Sequence, residues 1–318
     1  MLLNYDQYRY GLRKKGRHRG LLPALLAAAA VVAVLVPVIL LLTGTWQPFS
    51  VRGGRGDVKD LATLWQAKRY DEVIQCADQI LKATPLDRDA LGYRGFASFY
   101  KAVSDESSEE RTANLDQAIV SLRQAQLMGS SWKGELDYVL GKAYFHKGRY
   151  YLDLSTSFME NSVAHGTVMQ DSYEYLGLAY TQLGEMEKGL EYFLKAMEGD
   201  GGASDLLLLT IGQSYYSMKR TEEAVGYLSR ALDRTEDEAI AKKARFLLGE
   251  IYLERQDLAK AEEQFQAIVK ADPKSAEAHF NLGEIYAKRG DLVKARGEWR
   301  TVLVIDPSHV GAKLRYYK

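Results

Sequence analysis

The side chains best suited to hold a metal or attack a substrate are five histidines (His18, His146, His165, His279 and His309) and one cysteine, Cys76. A metal site needs several such groups at helical spacing or in paired cysteine motifs. No two of these histidines stand four residues apart, and none has an acidic partner at a ligating interval. A lone cysteine excludes an internal disulfide and a two-cysteine zinc site. The sequence has no Gly-x-Ser-x-Gly elbow, no Gly-Lys-Ser/Thr phosphate loop and no dinucleotide fingerprint. Gly53-Gly54-Arg55-Gly56 follows no strand and opens no Lys-Ser/Thr. Cys76, among Val73, Ile74, Ala77 and Ile80, reads as a buried inert thiol, and His279 as a core histidine. The expectation is a protein with no catalytic, cofactor or metal residues, whose chemistry is that of binding surfaces.

The elements behind those surfaces announce themselves through glycine. Gly95, Gly141, Gly177, Gly212, Gly249 and Gly283 recur at spacings of 46, 36, 35, 37 and 34. Five of them follow Leu or Ile and precede a tyrosine by three: Tyr144, Tyr180, Tyr215, Tyr252 and Tyr286. A period near 34 predicts a solenoid of helix pairs. No proline falls between Pro85 and Pro273, which suits uninterrupted helices. Small residues at the crossings let two helices approach, and neighbouring pairs supply the core that one pair cannot.

In these residues the chain resembles the tetratricopeptide repeat family. Unit 276–309 carries Leu282, Gly283, Tyr286, Ala295, Trp299 and Pro307; unit 242–275 carries Leu248, Gly249, Tyr252, Ala261, Phe265 and Pro273. Unit 205–241 keeps Ile211, Gly212, Tyr215, Ala224 and Leu228, and unit 170–204 keeps Leu176, Gly177, Tyr180 and Phe193, with Gly189 at the small site. In unit 134–169 the second helix, with Leu154 and Phe158, looks displaced by about one residue. In unit 88–133 the set Ala118, Leu122 and Ala125 arrives eleven residues late, after an acidic insertion around Ser104–Thr112. Unit 54–87 lacks the glycine but fits at Tyr70, Val73, Ala77, Ile80 and Pro85. The resemblance implies an all-α fold: a right-handed solenoid of about seven helix pairs over 57–309, closed by a short cap at 310–318.

Residues 21–42 are a 22-residue run of Leu, Ala, Val, Ile and Pro, long enough to cross a bilayer. A cleavable signal has a shorter apolar region and a small-residue cut site, which Leu42-Thr43-Gly44-Thr45-Trp46 does not offer. The expectation is a single transmembrane helix. Arg9, Arg13, Lys14, Lys15, Arg17 and Arg19 against Asp6 give residues 1–20 a net charge of +5. Basic flanks stay cytoplasmic, so a tether at 43–56 and the array should stand on the other, periplasmic side of an inner membrane.

The formal charges of the chain cancel, 42 basic against 42 acidic, and residues 57–318 carry −7, which excludes a broadly basic nucleic-acid binder. The resemblance places a partner groove on the first helices, at Phe96, Phe99, Tyr138, Lys142, Phe145, Gln213, Tyr216, Phe246 and Phe280. The groove is expected nearer 88–220, where the pattern departs most from the repeat. Relatives that clamp a chaperone's C-terminal carboxylate place Asn where this chain has Lys142, Leu178, Gln213, Glu250 and Glu284, so that clamp is not expected. The expected partners are other proteins, through peptide or helix segments, and the bilayer through 21–42. The implied role is a membrane-anchored scaffold for assembling an envelope complex. The alternatives are an organelle outer-membrane receptor with a cytosolic array, or a ligand-binding or enzymatic subunit.

Overall fold

A computed structural model describes residues 56–104, 107–199 and 203–317. The basic N-terminus, the apolar run 21–42 and nearly all of the tether lie outside the described residues, among which no helix is long and apolar enough to cross a membrane. The described residues are all-α. Seven helix pairs follow in order: α1 (Gly56–Gln66) with α2 (Tyr70–Ala83), α3 (Arg88–Ser104) with α4 (Ser108–Leu127), α5 (Lys133–Lys147) with α6 (Leu152–Ala164), and α7 (Ser172–Leu183) with α8 (Met186–Met197). Then come α9 (Asp205–Ser217) with α10 (Thr221–Arg234), α11 (Glu238–Glu254) with α12 (Leu258–Ala271), α13 (Ala276–Lys288) with α14 (Leu292–Ile305), and a closing α15 (Val310–Tyr316).

The recurrent glycines are where paired helices touch. A Cβ on Gly95 would lie 2.5 Å from Leu122, on Gly177 2.5 Å from Phe193, on Gly212 2.7 Å from Leu228 and on Gly249 2.6 Å from Phe265. The bulky partner sits four residues after the small one, one turn along the second helix: Ala118 before Leu122, Ala224 before Leu228, Ala261 before Phe265 and Ala295 before Trp299. Second helices bury one stripe, such as Ala224, Leu228 and Ala231 on α10. First helices are packed nearly all round: on α5 every residue from Leu136 to Tyr144 is buried. They touch their own partner, the preceding second helix and, at α1–α3, α3–α5, α5–α7 and α9–α11, the next first helix.

Three expectations need correction. The displaced second helix of the 134–169 unit is shifted by two residues, because the 3-10 turn Arg149–Tyr151 precedes α6. Gly141 therefore faces Met159, not Phe158, and Ser155 fills the small site with its hydroxyl donating to the Gly141 carbonyl at 2.8 Å. Leu154 points outward at 42 % exposure, and Phe158 stacks on Tyr144 with ring centroids 5.5 Å apart. In the 88–133 unit the eleven extra residues are not an inserted loop. They lengthen the helices: α3 runs about one turn further past its glycine and α4 starts about two turns further before its small residue than the later pairs do. Cys76 is half-buried rather than buried.

From the third pair on, the turn between first and second helices places a positive-φ residue seven after the signature glycine. Gly148, Gly184 and Gly290 supply it at φ of 96°, 90° and 83°, but Lys219 and Gln256 occupy it at 62° and 60°. A side chain there costs about 1–2 kcal/mol, partly offset because glycine is freer in the unfolded chain. Gln256→Gly is therefore expected to stabilise the array by about 0.5–1 kcal/mol, read as a rise in the denaturant midpoint. A fall would show that Gln256 holds the turn by contacts a glycine cannot make.

Exposed ion pairs tie consecutive units together. A cation six residues after the glycine reaches back to the preceding second helix: Lys101 to Asp71, Lys147 to Asp116, Arg255 to Glu222 and Arg289 to Glu262. Each exposed pair contributes about 0–1 kcal/mol, so they mark register more than they supply stability.

Candidate functional site: the inner face of the first helices

Three consecutive first helices meet around one lysine. Lys142 of α5 is 3 % exposed, and its Nζ donates to Asp171 Oδ2 at 2.9 Å and to Tyr138 Oη at 3.2 Å. Asp171 lies at the head of α7, 8 % exposed, and its other oxygen accepts from the Tyr138 hydroxyl. The ammonium also lies 4.5 Å from the ring centre of Tyr175, 5.2 Å from Tyr138 and 5.7 Å from Phe99 of α3. Carboxylate, phenol and three rings compensate the desolvation of a buried cation. Around this latch, Phe145 packs edge-on against Tyr175 at 5.2 Å, and His146 Nε2 is 3.3 Å from the Tyr175 hydroxyl.

Next to it on α7, Glu174 is 6 % exposed, and burial pushes its carboxyl up to about 7. The same register on α5, α9, α11 and α13 carries Tyr138, Leu209, Phe246 and Phe280. A carboxylic acid held above its usual range favours the fold while protonated. That contribution is complete below the ordinary carboxylate range and is lost as pH rises through about 7. Glu174→Gln is therefore expected to match the parent protein near pH 4.5 and to exceed its stability by about 2–3 kcal/mol at pH 8. Parallel denaturant melts across pH read this difference, and a constant difference would assign the effect to something other than ionisation.

The remaining groove candidates fall into separate places. Phe96 and Phe99, 4 % and 1 % exposed, are packing residues. Phe96 lies 6.0 Å from Trp65 and 5.9 Å from Trp132 in an aromatic cluster of the first two units. Tyr138 and Lys142 are committed to Asp171. Half-buried Tyr216 donates to Glu254 Oε1 at 2.8 Å, one turn beyond half-buried Gln213 on α9. Opposite them on α11, burial raises the Glu250 carboxyl, with Lys243 lowering it and Glu254 raising it. Phe246 packs against Phe265 at 5.8 Å and Phe280 against His309 at 5.0 Å; both are half-buried. The candidates left half-buried are Phe145, Gln213, Tyr216, Phe246 and Phe280, two of them beyond residue 220.

Asp171, Glu174 and Tyr175 are the residues the sequence reading passed over. No repeat register marks the pair that meets Lys142: Asp171 and Tyr175 stand six and two residues before Gly177, whereas Tyr138 and Lys142 stand three before and one after Gly141. His279 is 9 % exposed, with Nδ1 2.6 Å from Glu298 and Nε2 3.1 Å from the Pro273 carbonyl, a structural histidine held between two acceptors. Among the described residues no group of three His, Cys, Asp or Glu side chains could hold a metal.

The tetratricopeptide repeat family matches residues 209–276 and 246–309, and a second form of the same repeat matches 171–198. No curated protein matches the sequence. Among solved structures, the C-terminal part of a TPR repeat-containing protein from Cytophaga hutchinsonii has a TM-score of 0.64 at 17 % identity, covering 81 % of this chain and 98 % of that one. YrrB, described as a TPR protein with an unusual peptide-binding site, has a TM-score of 0.50 at 21 % identity, covering 63 % of this chain and 98 % of that one. Residues 171–198 and 209–309 thus carry tetratricopeptide repeats, and the fold shared with the Cytophaga structure runs over 81 % of the chain.

Proposed function

We propose that this chain is a membrane-anchored scaffold whose array holds a segment of a partner protein along the inner face of its first helices, on the extracytoplasmic side. The observation that carries the binding role is the row of half-buried side chains on that face. Phe145, Tyr216, Phe246 and Phe280 supply apolar area, while half-buried Gln213 and Glu250 and, at the edge, exposed Glu254 supply donors and acceptors. Anchors of this kind, spaced among polar groups, suit an extended or helical peptide. YrrB, a TPR protein with an unusual peptide-binding site, supports the reading by its shared fold. The 22-residue apolar run and the net +5 of residues 1–20 support the anchor and its orientation. Anchoring raises the local concentration of the array at one membrane, so modest affinity per site suffices.

A photo-crosslinking residue at Gln213 should capture a partner that the same residue at exposed Gln266 does not. For that partner, Phe145→Ala with Tyr216→Ala is expected to weaken binding at least tenfold, about 1.4 kcal/mol, with helix content retained. Unchanged affinity would remove binding from this face. For orientation, a reporter active only outside the cytoplasm and fused after Lys318 should work. Replacing Arg13, Lys14, Lys15, Arg17 and Arg19 with Asn should give mixed orientations. Activity of a cytoplasm-only reporter at the same position would reverse the assignment.

A further inference from the structure

The outer faces of the second helices are charged, and on three of them glutamates recur where the last one differs. At matching positions α8 presents Glu187 and Glu191, α10 presents Glu222, and α12 presents Glu262 and Glu263. Three of these are paired within the array: Arg255 of the following unit reaches Glu222, Arg289 reaches Glu262, and Lys195 of α8 itself holds Glu191. On α14 the same face reads Val293, Arg296, Gly297, Arg300 and Val304, every one of them exposed. Val293 is 85 % and Val304 77 % exposed. Neither arginine pairs with a carboxylate among the described residues, and a Cβ on Gly297 would meet nothing within 4 Å. Residues 276–318 carry a net +3, against −7 for the whole of 57–318.

We propose that this outer face of α14 is a second docking surface, distinct from the inner face, and that its occupant is an acidic amphipathic helix of a partner protein. Three features select that occupant. The valines stand eleven residues, three turns, apart on one line of the helix, about 16 Å, a span that a straight helix of similar length covers. Gly297 lies between them and leaves the middle of the line low, so that another helix can cross closely. Arg296 and Arg300, one turn apart beside it, match carboxylates at i and i+4 on the incoming helix, where each guanidinium can take a carboxylate on two of its donors. An anionic lipid surface would favour the charge too, but interfacial helices present Trp, Phe or Leu, and this face offers two valines and a glycine. A second copy of the chain would leave the exposed valines complementary only to acidic outer faces such as that of α8.

The test uses the full chain and a fluorescent helical peptide of about four turns, with Ala and Leu on one face and Glu at i and i+4 beside them. Gln and Lys versions of the peptide serve as controls. The Glu peptide should bind at least tenfold tighter than the Gln peptide. Arg296→Glu with Arg300→Glu should abolish that preference and transfer it to the Lys peptide. The milder pair Arg296→Gln with Arg300→Gln should lose the preference without reversal, and circular dichroism should stay unchanged throughout. Phe145→Ala with Tyr216→Ala should leave this affinity untouched, which separates the surface from the inner-face groove. Equal binding of the Glu and Gln peptides would overturn the proposal. So would arginine-dependent capture on phosphatidylglycerol vesicles in place of the peptide, or concentration-dependent self-association that the arginine variants remove.

Discussion

Asp171→Ala is expected to destabilise the middle of the array by about 3–5 kcal/mol, the cost of removing one member of a buried ion pair. Lys142 is 3 % exposed and donates to Asp171 at 2.9 Å; without the carboxylate its ammonium stays among the rings of Phe99, Tyr138 and Tyr175. Ring faces attract a cation by about 1–2 kcal/mol in a dry site, too little to replace a carboxylate at hydrogen-bond distance. The double change Lys142→Met with Asp171→Leu removes both charges and should recover most of the loss, since apolar replacement of a buried pair is often neutral or stabilising. Hydrogen exchange localises the effect, with α5 and α7 losing protection first while α13 and α14 hold. A loss under 1 kcal/mol for Asp171→Ala would mean that water reaches the pair and that the latch is a surface interaction.

Gly249→Leu is expected to cost about 2–4 kcal/mol, because even the first atom of the new side chain lies 2.6 Å from Phe265, which is itself fully buried. Its control is another helical glycine. A Cβ on Gly226, in the interior of α10, meets nothing within 4 Å, so Gly226→Ala should stabilise by about 0.5–1 kcal/mol through helix propensity alone. The opposite signs follow from space and not from glycine as such. Equal effects at the two positions would show that the crossings tolerate more spreading than close packing allows.

The fold was legible in the sequence because a close helix crossing tolerates few residue types, and the chain meets that demand six times, at nearly even intervals after a longer first one. Where it slipped, the cause was local. Phe158 looks like the bulky residue facing Gly141, but a 3-10 turn moves α6 by two residues and gives that place to Met159. Helix propensity does not register such a shift, because Ser155 and Met159 fill the small and bulky sites as well as the residues they replace. The site was less legible for a different reason. Family register located the first-helix positions on which Lys142 and Tyr138 stand, but whether a side chain at such a position faces a partner or its own neighbours depends on residues about 30 positions away. Lys142 meets Asp171 and Tyr175 only after two more helices have formed, and nothing local in the sequence marks that pairing.

The lengthened second pair has a consequence for how such a protein can change. Growth by one turn on α3 and about two on α4 adds eleven residues yet leaves Leu122 facing Gly95. Eleven residues make three helical turns almost without remainder, so material added in that quantum keeps every interior side chain in phase. The pair behaves as an extensible hairpin, in which length at the tip is decoupled from fit at the seam. An epitope or a binding loop could be grafted between Ser104 and Ser108 in whole turns, turning the tip of one repeat into a presentation arm with no redesign of the stack beneath it.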